Sequence, residues 1–97
     1  MIYVKIHKSS GSFVTAICDE ELIGKKFKEG KLVLDVSESF YKGNLIDDNK
    51  IEDYLKDSIN LNLVGERSCD TALKLGLILK ENIITIEGVK HAQSIIL

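Results

Sequence analysis

Apolar and polar residues alternate from the start of the chain, with Ile2, Val4 and Ile6 set against Tyr3, Lys5 and His7. After Lys8-Ser9-Ser10-Gly11-Ser12 the alternation resumes over residues 13–18, and a period of two broken by a Gly-containing connection predicts a β-hairpin. Residues 19–22 predict one helical turn capped by Asp19, and Gly24 and Gly30 bracket a basic connection of Lys25, Lys26, Phe27 and Lys28. Residues 31–36 read as a third strand whose inward set is Leu32, Leu34 and Val36. Beyond a loop pinned by Phe40 and Tyr41, Asp47 and Asp48 open a helix. Ile51, Tyr54, Leu55, Ile59 and Leu63 fall there at the three-and-four spacing of one apolar stripe. Asn62-Leu63-Val64-Gly65 interrupts the stripe as a helix–helix corner. A second helix then runs to Leu75, burying Val64, Cys69, Ala72 and Leu73, with Gly76 as its left-handed terminator. Residues 83–86 and 89–96 flank Glu87-Gly88, which predicts a closing hairpin.

Like elements are grouped along the chain, which predicts a single α+β domain over residues 1–97. Its sheet is expected to be antiparallel or mixed, of about five strands (two hairpins plus one strand), with two helices packed on one face. The 97 residues are 44% hydrophobic and 29% charged, and Ile, Leu and Val supply 31 positions against six aromatics. That composition provides a branched aliphatic core and excludes a two-domain enzyme or a wholly disordered chain. No apolar run reaches the ~20 residues of a membrane span, and the first residues lack the pattern of a signal peptide, so a soluble, cytoplasmic protein with no membrane partner is expected.

The formal charge of −2 argues against coating nucleic acid by bulk positive charge, but the charges are unevenly placed. Residues 1–34 carry six Lys against four acids, while residues 35–57 carry three Lys against seven acids. A local basic patch can therefore contact phosphates while the acidic stretch faces water or a basic protein. Lys25, Lys26, Lys28 and Lys31 form the densest basic run, with Phe27 among them as either a stacking ring or a core anchor. Arg67, the sole arginine, offers a planar fork beside Gly65 and Glu66; it reads equally as a phosphate ligand or as the partner of a nearby acid. His91 and Gln93 share a strand face with Val89 and Ile95, an apolar setting in which polar side chains are either satisfied within the fold or available to a ligand.

Other chemistry is poorly supported by spacing. His7, His91, Cys18 and Cys69 have no recognised metal-ligand spacing, the two cysteines read as buried thiols, and neither phosphate-loop nor dinucleotide motif occurs, so no cofactor is expected.

Three stretches taken together carry a likeness: Cys18-Asp19-Glu20-Glu21-Leu22-Ile23-Gly24-Lys25 with Phe27 and Glu29-Gly30, then Asn62-Leu63-Val64-Gly65-Glu66-Arg67, then Gly88-Val89-Lys90-His91-Ala92-Gln93. Over nearly its full length the chain resembles the small archaeal proteins grouped as domain of unknown function 424. That resemblance implies an archaeal, cytoplasmic, single-domain protein associated with the translation apparatus, with no catalytic residues to transfer. A surface shared through these motifs would comprise Asp19, Glu20, Gly24, Lys25, Asn62, Gly65, Glu66, Arg67, His91 and Gln93.

The sequence thus predicts a non-enzymatic binding module whose partner is ribosomal RNA or a ribosomal protein. Contact would come from Lys25, Lys26, Phe27, Lys28 and Lys31, with Asn62, Gly65, Glu66, Arg67, His91 and Gln93 completing the site. The alternative is a small ligand-binding protein or enzyme using Cys18, Glu66 and His91, which requires those three to converge. A third reading pairs two copies through a strand edge near Ile95, Ile96 and Leu97.

Overall fold

The N-terminal alternation forms two long antiparallel strands, β1 (Ile2–Ser9) and β2 (Ser12–Asp19), joined at Ser10 and Gly11, both with positive φ. The structure, a computed structural model, describes residues 1–95, apart from the Ser9 side chain. A second antiparallel pair, β3 (Lys26–Glu29) and β4 (Leu32–Asp35), stands as its own two-stranded sheet. Then come α1 (Glu38–Tyr41), β5 (Asn44–Ile46), α2 (Ile51–Leu55), β6 (Asn60–Val64), α3 (Glu66–Lys74), β7 (Ile83–Ile86) and β8 (Val89–Ile95). Single 3-10 turns occupy Glu20–Leu22, Asp48–Lys50 and Lys80–Asn82.

The main sheet runs β5-β1-β2-β6-β8-β7, with β2 and β6 parallel and every other pair antiparallel. Other elements pack on both of its faces. Ile2, Val4, Ile17, Leu61, Leu63 and Ala92 pack beneath α2 and α3, against Ile51, Leu55, Cys69 and Ala72. Ala16, Cys18, Val64 and Ile86 lie on the opposite face, under Leu34 and Val36 at the end of the small hairpin and Tyr41 of α1. Among the described residues no helix is long and apolar enough to cross a membrane.

The α+β class and mixed sheet agree with expectation, as do both terminal hairpins and the end of α3 before Gly76. The details depart from it in four ways. The sheets hold six and two strands rather than about five, and three short helices form rather than two, with α2 and α3 on one face and the β3–β4 hairpin and α1 on the other. The long apolar stripe ends at Leu55: Leu61 and Leu63 belong to β6, and Ile59 is 58% exposed. A central strand needs its backbone paired on both edges, and β2 and β8 supply those partners, which an isolated amphipathic helix cannot match. Leu32, expected inward, is 47% exposed; of the expected inward set only Leu34 and Val36 reach the sheet. Finally, the basic connection is itself a strand, β3, whose alternation turns Phe27 inward and leaves Lys26 and Lys28 outside. Of the proposed dimer edge, Ile95 is 64% exposed, while Ile96 and Leu97 lie outside the described residues.

Candidate functional site

Parallel pairing of β2 with β6 brings their carboxyl ends side by side, so Asp19 lies against Gly65 at the start of α3. The Asp19 side chain does not cap its own turn. It is 1% exposed and reaches across to α3, where Oδ2 accepts from Arg67 N at 3.0 Å and Oδ1 accepts from Ser68 N at 2.9 Å and Ser68 Oγ at 2.7 Å. The free N–H groups and dipole of a helix N-terminus favour a carboxylate there. Gly65 makes this approach possible: its φ is 110°, and a Cβ at that position would overlap the Asp19 carboxyl group.

Arg67 sits above this capped end. Nη1 and Nη2 donate to Glu21 Oε2 and Oε1 at 2.8 and 3.0 Å, Nη2 also donates to Met1 O at 2.9 Å, and Nε lies 2.7 Å from Asp48 Oδ2 as an ion contact without aligned hydrogen-bond geometry. Of the two readings of this fork, the structure shows it on a nearby acid, Glu21, in the bidentate geometry that guanidinium and carboxylate share. Hydrogen bonding from Arg67 holds the Glu21 carboxyl below its ordinary value. Glu66 is paired with Lys90 at 3.0 Å. All three sequence stretches meet here around a shallow pocket of about 160 Å³ lined by Asp19, Glu21, Gly65, Glu66, Gly88 and Lys90.

The residues of the enzyme alternative are separated. Cys18 and His91 occupy neighbouring positions on one sheet face with Val64 between them, whereas Glu66 pairs with Lys90, which points to the other face. Burial pushes the Cys18 thiol up to about 12, and Cys69 likewise, which leaves both as thiols at neutral pH. His91 donates from Nδ1 to Leu63 O at 3.0 Å, and burial lowers its pKa. No group of three or more His, Cys, Asp or Glu suited to a metal occurs among the described residues.

The β3–β4 hairpin presents the basic run. Lys25, Lys26, Lys28 and Lys31 are all exposed, and none forms an ion pair among the described residues. Phe27 is packed against the core beneath them, so it anchors the hairpin rather than offering a stacking surface. Two carboxylates clasp this hairpin to the β7–β8 turn: Glu87 Oε1 accepts from Lys28 N at 2.6 Å, and Glu29 Oε1 accepts from Glu87 N at 2.8 Å.

The sheet face that the hairpin covers is open at its other end. Asn62 stands directly opposite Gln93, and Asn60 opposite Ile95, in a cleft of about 600 Å³ walled by Val14 and Phe40. Asn62 Oδ1 accepts from Tyr41 Oη at 2.6 Å, and the Phe40 ring stacks on His7 with centroids 4.4 Å apart. Of these residues only Asn62 and Gln93 are expected from the sequence. The missed ones had a signal: Asn60 and Asn62 alternate with Leu61 and Leu63, the period of a strand with one polar face.

The chain is thus a small α+β protein with an acid-capped helix corner, an exposed basic hairpin and an open amide-lined sheet face. The chain matches, over residues 7–97, the model of a family described as a protein of unknown function (DUF424), and it belongs to that family. It is also similar to a solved structure described as that of an uncharacterized conserved protein from Methanopyrus kandleri, with a TM-score of 0.81 and 30% identity over 99% of this chain and 91% of that one. No curated protein matches the chain.

Proposed function

We propose that the protein is a non-enzymatic binding module that docks on RNA of the translation apparatus, in a ribosomal subunit or another ribonucleoprotein, through phosphate contacts from the β3–β4 hairpin. The observation that carries this reading is the set of four exposed lysines, without ion-pair partners among the described residues, on a hairpin held by Phe27 and the Glu29–Glu87 clasp. Preformed cationic side chains on a fixed backbone bind phosphates with release of condensed counterions. Arg67 contributes by fixing the corner between Glu21 and Asp48, not by touching RNA. Inert thiols and the separation of Cys18, Glu66 and His91 favour binding over catalysis.

Sedimentation of native lysate through sucrose gradients at low and high salt tests the reading, with this protein followed across free and subunit fractions. Co-migration with one subunit at low salt, lost at high salt, is the expected result. Replacing Lys26 and Lys28 together by Ala should lower the slope of log affinity against log salt by about 0.7–0.9 for each phosphate contact removed. A protein confined to the free fraction at every salt concentration would overturn the proposal.

A further inference from the structure

The main sheet has one face covered at one end only, and the uncovered end is chemically unlike the rest of the surface. In a chain with 15 acidic residues, no Asp or Glu among the described residues lines the cleft between Phe40 and Ile95. Its floor holds Asn62 and Gln93, side by side on adjacent strands, bordered by Val14, Asn60 and Ile95. Asn62 gives its carbonyl to Tyr41, which orients its amide group, while Asn60 and Gln93 have no side-chain hydrogen bond among the described residues. The lysine hairpin and this cleft lie on the same face of the sheet, because Ala16, the register partner of Asn62, belongs to the cluster under Leu34 and Val36.

We infer that this cleft receives an unpaired base, so that the RNA recognised by the module is single-stranded where it crosses the sheet: phosphates on the Lys25, Lys26, Lys28 and Lys31 hairpin, one base against Asn60, Asn62 and Gln93. This inference rests on the proposed RNA-binding function and narrows it. A side-chain amide offers a donor and an acceptor side by side, the pattern that matches the hydrogen-bonding edge of a base. The neutral lining suits an uncharged planar heterocycle, the aliphatic and aromatic walls cover its faces, and bases splayed from a loop are the usual target of sequence-reading RNA modules. In a duplex the pairing edge and both faces of each base are already occupied, so only an unpaired base can offer them to the cleft. An extended peptide is the weaker occupant. β6 lies between β2 and β8. Although β8 pairs with β7 only over residues 89–92, leaving the outer edge of residues 93–95 without a strand partner among the described residues, that ladder lies at the border of the sheet and not on the face where the amides stand.

The test is a pair of titrations of the full chain, isotopically labelled for NMR, with a ten-nucleotide single-stranded RNA and with the duplex of the same sequence. The single strand is expected to bind about tenfold more tightly and to move the side-chain amide signals of Asn60, Asn62 and Gln93. Gln93 is exposed and unbonded within the fold, so Gln93→Ala and, separately, Asn60→Ala should leave the spectrum folded. Each should weaken single-strand binding roughly three- to tenfold, with duplex binding and the salt slope unchanged. Equal affinity for the two RNAs, with both variants silent and Lys26→Ala/Lys28→Ala still weakening binding, would overturn the inference while leaving the phosphate-docking function standing. Absence of any salt-dependent RNA binding would remove both. Movement of the amide signals by an extended seven-residue peptide but not by RNA would overturn it in favour of a protein partner.

Discussion

A carboxylate taken out of water has to be met by donors, and Asp19 is met by three, all from the first turn of α3. Truncation would leave Arg67 N, Ser68 N and Ser68 Oγ without an acceptor in a buried corner. Asp19→Ala is therefore expected to cost about 3 kcal/mol, measured as a lower urea midpoint, with Asp19→Asn losing less because one acceptor remains. A loss below about 0.5 kcal/mol for the Ala variant would mean that water replaces the carboxylate. His91 makes a second prediction. Burial holds its pKa below 6.5, so the folded state keeps the ring neutral while the unfolded chain takes up a proton as pH falls through that value. Stability from this residue is complete above about pH 6.5 and declines below it until the folded ring also protonates. Urea midpoints between pH 7.5 and 5.5 should consequently fall further for the native chain than for His91→Asn, and parallel declines would refute the assignment.

Among the elements, α1 is only one turn long and cannot hold itself together. It is attached by side chains: Lys5 Nζ donates to Ser39 O at 2.6 Å, His7 Nε2 to Phe40 O at 2.7 Å and Tyr41 Oη to Asn62 Oδ1 at 2.6 Å. Tyr41→Phe keeps the packed ring and removes the last of these, so a loss of about 1 kcal/mol is expected in thermal or urea unfolding. A larger loss would show that the hydroxyl holds the whole turn in place. The two terminal hairpins were legible in the sequence because alternation and turn chemistry are local, with both residues of each turn at positive φ. β6 was not. Tyr54, Leu55, Ile59 and Leu63 fit helical spacing as well as strand spacing, and what decides between them is the edge of β2, far away in sequence. The site divides along the same line. That His91 and Gln93 share a face follows from alternation within β8, but their meeting with Asn62 depends on β6, and the turn of Asp19 toward α3 depends on where Gly65 arrives.

At the scale of the whole molecule, one sheet carries two different faces, and the residues of the three sequence stretches that carry the likeness are divided between its strand ends and its surface. Asp19, Gly65 and Arg67 build the corner; Asn62 and Gln93 face the cleft. A fixed corner keeps β2 and β6 in register, and that register sets the spacing of the amides across the sheet. The same parallel pairing governs how the chain is assembled. β1 and β2 zip together within one short turn, but the inner edge of β2 waits for the whole stretch from Glu20 to Ile59 before β6 can reach it. Closing so long a loop must precede the contacts that repay it, so joining the two terminal hairpins through β6, rather than forming either one, sets the folding time. On a growing polypeptide, the first hairpin emerges with an open strand edge and stays that way until Val64 has been added.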